Sequence, residues 1–215
     1  HSDDVVDVRF AAVGARIVTS SLDGSVRIWD AATTWYDGPQ VMASAAAYVV
    51  RFSPDDQRVA TASFDGRIQL WSAATWELLA SWQAHPKDKS CHALAFTPDG
   101  RFLVSGSWEP VIRVWDSCTL EPVASFAQAA GTSWLKLSPD GALAAACSGK
   151  TIEIYDLAAR THVQSFAQHT KTTASASRIR CVFPQPPTSA AERCVSTSKI
   201  SGASRGGGAS SSASA

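Results

Sequence analysis

The chain has 215 residues, 45% apolar and 18% charged, with 19 Lys and Arg against 19 Asp and Glu. That mixture is too apolar for a disordered chain and long enough to bury a core. Its longest apolar, charge-free stretch, Met42–Val50, has nine residues, whereas a membrane-spanning helix needs about 20, so no membrane span is expected.

The neutral total hides an uneven split. Residues 1–156 hold 12 basic and 18 acidic side chains, and residues 157–215 hold 7 and 1. An acidic body repels phosphate backbones, which argues against nucleic acid as its main partner. Residue 1 is His, Asp3 and Asp4 follow at once, and the only Met is Met42. The sequence therefore reads as a fragment, a processed chain or an incomplete gene model without a secretory signal. Five cysteines at 91, 118, 147, 181 and 194 are odd in number and contain no CxxC pair. That pattern predicts reduced thiols in a cytoplasmic or nuclear protein.

In chain order, one motif keeps returning. Val18-Thr-Ser-Ser-Leu-Asp-Gly-Ser-Val-Arg-Ile-Trp29-Asp30 is followed by Ala60-Thr-Ala-Ser-Phe-Asp-Gly-Arg-Ile-Gln-Leu-Trp71-Ser72. Val104-Ser-Gly-Ser-Trp-Glu-Pro-Val-Ile-Arg-Val-Trp115-Asp116 comes next, and a worn copy ends in Thr151-Ile-Glu-Ile-Tyr155-Asp156. The aromatic anchors are spaced 42, 44 and 40 residues apart, a period typical of stacked repeats. Ahead of each copy stands a second element: Arg9-Phe-Ala-Ala-Val-Gly, Arg51-Phe-Ser-Pro-Asp-Asp, Ala95-Phe-Thr-Pro-Asp-Gly and Lys136-Leu-Ser-Pro-Asp-Gly.

Local chemistry makes these pieces strands. Val26-Arg-Ile-Trp29 and Ile68-Gln-Leu-Trp71 alternate with period 2 and are rich in β-branched and aromatic residues. Ser-Pro-Asp-Gly and the Asp-Gly pairs at 23–24 and 65–66 are turn chemistry, because Pro presets φ and Gly accepts positive φ. Leu78–Trp82 and Pro122–Phe126 supply fourth strands, and no segment carries a sustained 3.6-residue apolar period. Val26 and Ile28 point to one face and Trp29 to the other, so both faces must be covered. Small antiparallel sheets stacked radially meet that need.

On these four in-phase motifs the sequence resembles WD40-repeat proteins over residues 1–167. The resemblance implies an all-β propeller with blades at about 1–40, 41–82, 83–126 and 127–167. A degenerate fifth blade is expected at 168–200, where Ser177–Phe183 and Arg193–Ser198 look like strands, and a flexible, disordered Ser/Gly/Ala tail at 201–215. Such propellers close with about seven blades of roughly 42 residues, so an incomplete ring with exposed first and last blades is expected. The family also implies a buried tetrad running from His through Ser or Thr and Asp to the indole N–H. Its matching positions are His1, Thr19, Asp23 and Trp29 in repeat 1, and Thr61, Asp65 and Trp71, without His, in repeat 2. Repeat 3 offers His85, Ser105, Glu109 in place of Asp, and Trp115; repeat 4 keeps only Tyr155.

Other chemistry is weaker. Ser148-Gly-Lys-Thr151 resembles the end of a phosphate loop, but the required upstream Gly is Ala144 and the segment falls on a hairpin turn. His85, Cys91 and His92 lack a second ligand pair at zinc spacing, and Gly131-Thr-Ser-Trp-Leu135 lacks the second Gly of a serine-hydrolase elbow. A trio such as His1, Asp23 and Thr19 repeats from blade to blade, which fits architecture rather than one catalytic site. The reading is a non-catalytic protein without metal, cofactor or small-molecule substrate.

The residue before each tetrad acid is apolar: Leu22, Phe64 and Trp108. In WD40 proteins that position resembles the rim of the top face, where the first strands contribute Val6, Tyr48, His92 and Ser133. Leu22, Tyr48, Phe64, His92 and Trp108 are the candidate residues for a protein or peptide partner, since exposed aromatics make binding hot spots. The bland alternative is that they fold down and seal the blades. The expected function is a scaffold or adaptor mediating protein–protein interactions through that face. A substrate-recognition subunit of a ubiquitin ligase is the alternative, weakened because Ala32, Ala74, Cys118 and Ala158 stand where an Arg is favoured. A regulatory propeller segment of a larger multidomain protein is the other.

Overall fold

Strand chemistry and turn chemistry alternate through the computed structural model, which describes residues 1–32, 40–43 and 45–167. These lie in one compact unit, His1–Ile179; a second unit, Arg180–Ala215, lies outside the described residues. So do the fifth blade expected at 168–200 and the tail expected at 201–215. Every regular element among the described residues is a strand, and no described helix is long and apolar enough to cross a membrane.

Four antiparallel sheets follow in chain order, each with its strands in sequence order across the sheet. Blade 1 comprises β1 (Val5–Phe10), β2 (Arg16–Ser21), β3 (Ser25–Asp30) and β4 (Gln40–Met42). Blade 2 comprises β5 (Ala47–Phe52), β6 (Arg58–Ser63), β7 (Arg67–Ser72) and β8 (Leu78–Gln83). β9 (Cys91–Phe96), β10 (Phe102–Ser107), β11 (Val111–Asp116) and β12 (Pro122–Ala127) form blade 3. β13 (Thr132–Leu137), β14 (Leu143–Ser148), β15 (Thr151–Asp156) and β16 (Thr161–Phe166) form blade 4. The first strands β1, β5, β9 and β13 lie side by side from blade to blade, which makes them the inner strands of a partial β-propeller.

The turns explain why the sequence pauses where it does. Ser53 and Ser138 each donate their hydroxyl to the Asp two residues on and accept the amide at the head of the second strand, Arg58 or Leu143. Thr97 does the same with Asp99, at 2.6 Å, and Phe102. The acid after the seam aromatic closes the next turn: Asp116 Oδ1 accepts the Cys118 and Thr119 amides at 2.8 and 2.9 Å. Gly24 and Gly66 take positive φ in the turns between second and third strands. A Cβ on Gly66 would also lie 2.6 Å from the His85 and Pro86 carbonyl oxygens, so the chain entering blade 3 rests directly on that turn.

The core is three seams between blades rather than one central mass. Between blades 1 and 2, Val18, Val26 and Ile28 pack on Val50, Val59 and Trp71. Ala60, Ile68 and Leu70 of blade 2 meet Leu94, Leu103 and Trp115 of blade 3. Val104, Ile112 and Phe126 of blade 3 meet Leu135, Ala144 and Tyr155 of blade 4. Each fully buried aliphatic side chain contributes roughly 1.5–3 kcal/mol, so the fold's stability accumulates seam by seam. Aromatic pairs reinforce the outer part of two seams: Trp82 meets Trp115 edge-on at 5.9 Å, and Phe126 lies 4.9 Å from Tyr155. At the two ends the pattern reverses: Val6, Val8 and Phe10 of β1 are exposed, and so is all of β16.

Candidate interaction face

Side chains at the seams and side chains at the rim do different work. In blade 1 the Trp29 indole donates to Thr19 Oγ1 at 2.9 Å, and His1 Nε2 lies 2.7 Å from the same oxygen. His1 Nδ1 is 2.6 Å from Ser25 Oγ and 3.7 Å from Asp23 Oδ1. Asp23 accepts the Ser2 and Ser25 amides at 2.6 and 2.7 Å. Burial opposes the charge on Asp23, but hydrogen bonds from Ser25, Ser2 and Ser21 outweigh it and hold the carboxyl well below the usual carboxylate range.

In blade 3, Trp115 Nε1 donates to Ser105 Oγ at 2.9 Å, and His85 Nε2 lies 2.9 Å from that oxygen. His85 Nδ1 lies 2.8 Å from Arg113 Nη1, which can only donate, 3.0 Å from Ser107 Oγ and 3.2 Å from Glu109 Oε2. Arg113 donates to both oxygens of Glu109, Nη1 to the Oε2 that faces His85 and Nη2 to Oε1 at 3.0 Å. The longer Glu therefore reaches the imidazole that Asp23 approaches in blade 1. Burial lowers the His85 pKa to about 4 despite Glu109, and the Arg113 hydrogen bond leads in pulling the Glu109 pKa down.

Blades 2 and 4 depart from this arrangement. In blade 2, Trp71 Nε1 donates to Thr61 Oγ1 at 3.2 Å, while Asp65 accepts the Ser63 hydroxyl and the Arg67 amide within its own turn. Ala43, whose amide bonds the Gly24 carbonyl as that of His85 bonds Gly66, brings no imidazole. In blade 4 the seam aromatic finds an acid that the motif alignment does not provide. The buried Tyr155 hydroxyl donates to Glu153, two residues back on β15. The Ala129 amide donates to Glu153 Oε1 at 3.2 Å, fastening the entering chain as His85 does elsewhere. Desolvation, then Glu153, pushes the Tyr155 pKa up. The turn of blade 4, Ser148-Gly149-Lys150, carries no acid; Glu153 serves the seam aromatic from the strand instead.

The rim is built by a repeated irregularity. In each inner strand the pairing skips one residue: Ala47 and Val49 pair with Ser63 and Ala62, and Cys91 and Ala93 pair with Ser107 and Gly106. The residues skipped are Val6, Tyr48, His92 and Ser133. A bulge of this kind bends the strand and re-aims the extra side chain. The turn residue beside each bulge is fixed by its own amide, Phe64 N bonding Ala46 O at 2.9 Å and Trp108 N bonding Ser90 O at 3.3 Å.

These two devices bring four of the five candidate residues together. Tyr48 lies 6.1 Å from Phe64 and 4.6 Å from His92, and His92 lies 5.0 Å from Trp108. Phe64, Tyr48, His92 and Trp108 thereby form a continuous strip of rings across blades 2 and 3. Phe64 and Trp108 are each 54% exposed, so they have not folded down to seal the blades. Burial lowers the His92 pKa and keeps its ring neutral, and its Nε2 is buried without a hydrogen-bond partner among the described residues. Leu22, partly buried on the blade 1 turn, stands outside this chain of rings. Gly131 supports the far end: a Cβ there would lie 2.6 Å from the Trp108 backbone.

The remaining motifs go to separate places. Ser148–Thr151 is the turn between β14 and β15, with Gly149 at φ 59° and Thr151 Oγ1 donating to the Ser148 carbonyl. Cys91 is buried, its thiol aimed at the Gly106 carbonyl and its pKa pushed up to about 12 by burial. It lies in the blade 2–3 seam, His85 in the tetrad and His92 in the strip, and no group of three potential ligands forms among the described residues.

The sheet order, the seam aromatics and the repeated turns define a WD40-type propeller segment. The WD domain, G-beta repeat model matches residues 1–30, 39–72 and 76–116, and the chain belongs to the WD40-repeat family. WD40 repeats serve in general as protein-interaction scaffolds and are generally non-catalytic. No curated protein gives a significant match.

Proposed function

We propose that this protein is a scaffold or adaptor that captures a protein or peptide partner on the top face of blades 2 and 3. The reading rests on one observation: bulged Tyr48 and His92 are laid between two half-exposed aromatics, Phe64 and Trp108, to make an unbroken apolar strip. Large rigid aromatics bring contact area at low entropic cost and dominate interface energetics. With His92 neutral, the strip suits an apolar or aromatic segment. The free thiols of Cys91, Cys118 and Cys147 are compatible with action in the cytoplasm or nucleus.

The test compares Phe64→Asp and Trp108→Asp with wild type for partner capture, after circular dichroism shows an unchanged fold. Val163→Asp, on the exposed strand β16, is the control. Loss of the same captured protein from both rim variants, with retention by the control, is the expected result. An unchanged set of captured proteins would sink the proposal.

A further inference from the structure

The inner strands that begin at the aromatic strip end at a recess of different chemistry. Tyr48 and His92 stand near the start of β5 and β9; Phe52 and Phe96 close the same strands. There, with Phe10, they line an open cavity of about 260 Å³ that also receives Arg9 and Arg51. Three blades contribute walls, so its shape is fixed by the seams.

Its charge is not that of the body around it. Arg9 Nη2 lies 3.1 Å from Asp7 Oδ1, and Arg51 Nη1 pairs with Asp7 Oδ2. One carboxylate thus serves two guanidiniums. Its oxygens are further occupied by the Val8 and Val50 amides, at 3.0 and 3.2 Å. Arg51 donates to Asp7 and to the Val50 carbonyl through the same nitrogen, Nη1. The acid in the lining, Asp56, is turned aside: its two oxygens accept the Ala12 and Val13 amides at 2.8 and 2.7 Å. Behind the rings, Arg16 stands over Phe52 and Arg58 over Phe96, at 5.6 and 5.9 Å. Both bond neutral oxygens: Arg16 the Ala73 and Asp56 carbonyls, Arg58 the carbonyl and hydroxyl of Ser117. Four guanidiniums, of Arg9, Arg16, Arg51 and Arg58, thus stand at the end of the inner strands against three carboxylates, those of Asp7, Asp56 and Asp55, the last in electrostatic contact with Arg58.

We propose that this cavity binds an anionic oxygen group, a carboxylate or a phosphate monoester, carried on an apolar stem. Forked guanidinium donors match the two oxygens of such a group, and partial desolvation strengthens each charge-assisted bond. The phenylalanine walls take up the stem, which inorganic phosphate lacks. This site is distinct from the rim strip, and neither reading depends on the other.

Benzoate and phenyl phosphate are the probes, titrated into the full chain and followed by calorimetry and by chemical-shift changes at the β1, β5 and β9 ends. Saturable binding of at least one, with a Kd of about 1 mM or tighter, is expected. The preferred probe identifies whether carboxylate or phosphate ester is the group recognised. Arg9→Met, which removes a partly exposed side chain, and Arg51→Lys, which keeps the charge but not the fork, are each expected to weaken binding about tenfold. Failure of both probes to saturate, or equal binding by the variants, would overturn the proposal. So would benzyl alcohol binding as tightly as benzoate, or inorganic phosphate as tightly as phenyl phosphate.

Discussion

Val8 on β1 and Leu94 on β9 hold the same place in their blades, one residue before the Arg9 and Ala95 positions. Val8 is 51% exposed and Leu94 is 1% exposed. The same contrast separates Trp29, partly exposed, from Trp115, which is buried against Leu70 and Trp82 of the blade before it. The strands are alike in sequence and geometry, and both indoles donate to a hydroxyl on the adjacent strand. What differs is that, among the described residues, a neighbouring blade packs on Leu94 and Trp115, and none packs on Val8. Strand formation is therefore local, and stability comes from the seam.

The largest effect expected from that contrast is on the tryptophans. Trp115→Ala removes a buried ring from a filled seam and should cost about 3–5 kcal/mol. Trp29→Ala should cost about 1–2 kcal/mol, since it forfeits one hydrogen bond and only part of its burial. Urea unfolding of the two variants measures the difference. Equal losses would break the comparison.

A second effect follows from His85, sealed where His1 is less so. The unfolded chain takes up a proton on His85 as pH falls below its ordinary value of 6.5, while the folded chain resists until about pH 4. Between those values the unfolded state binds more protons, so stability is full above about pH 6.5 and is lost as pH falls toward 4. The loss is expected to be about 3 kcal/mol. Urea midpoints measured across this range should fall for wild type and flatten in that window for His85→Gln. The smallest effect sharpens the contrast from the other side: Val8→Ala on the bare face should change stability by no more than about 0.5 kcal/mol.

The fold was legible because its signals are local and repeat. Alternating Val26-Arg-Ile-Trp29 and the Ser-Pro-Asp-Gly turns specify strand and turn without help from distant residues, and the 42-residue spacing shows the unit. The short β4 was not legible, since Gln40-Val-Met42 carries little pattern of its own. At the rim, Phe64 and Trp108 stood out because nothing in their turns demands an apolar side chain. That Tyr48 and His92 are bulge residues was hidden, because register is set by the partner strand and not by the residue itself. Nor does the sequence show that rings from turns 44 residues apart touch through them. Glu153 was missed for a similar reason: an acid between Ile152 and Ile154 reads as a solvated face, yet it is buried because the blade 3 aromatic seam closes over Tyr155. An apolar-flanked acid two residues before a seam tyrosine is the signal that identifies it.

The most direct measurement is hydrogen–deuterium exchange of the chain, alone and with a partner it captures. Slowed exchange at Tyr48, Phe64, His92 and Trp108, with β16 and the exposed face of β1 unaffected, is the predicted outcome. Protection confined to those end strands, with the four rim positions exchanging as in the free chain, would contradict it.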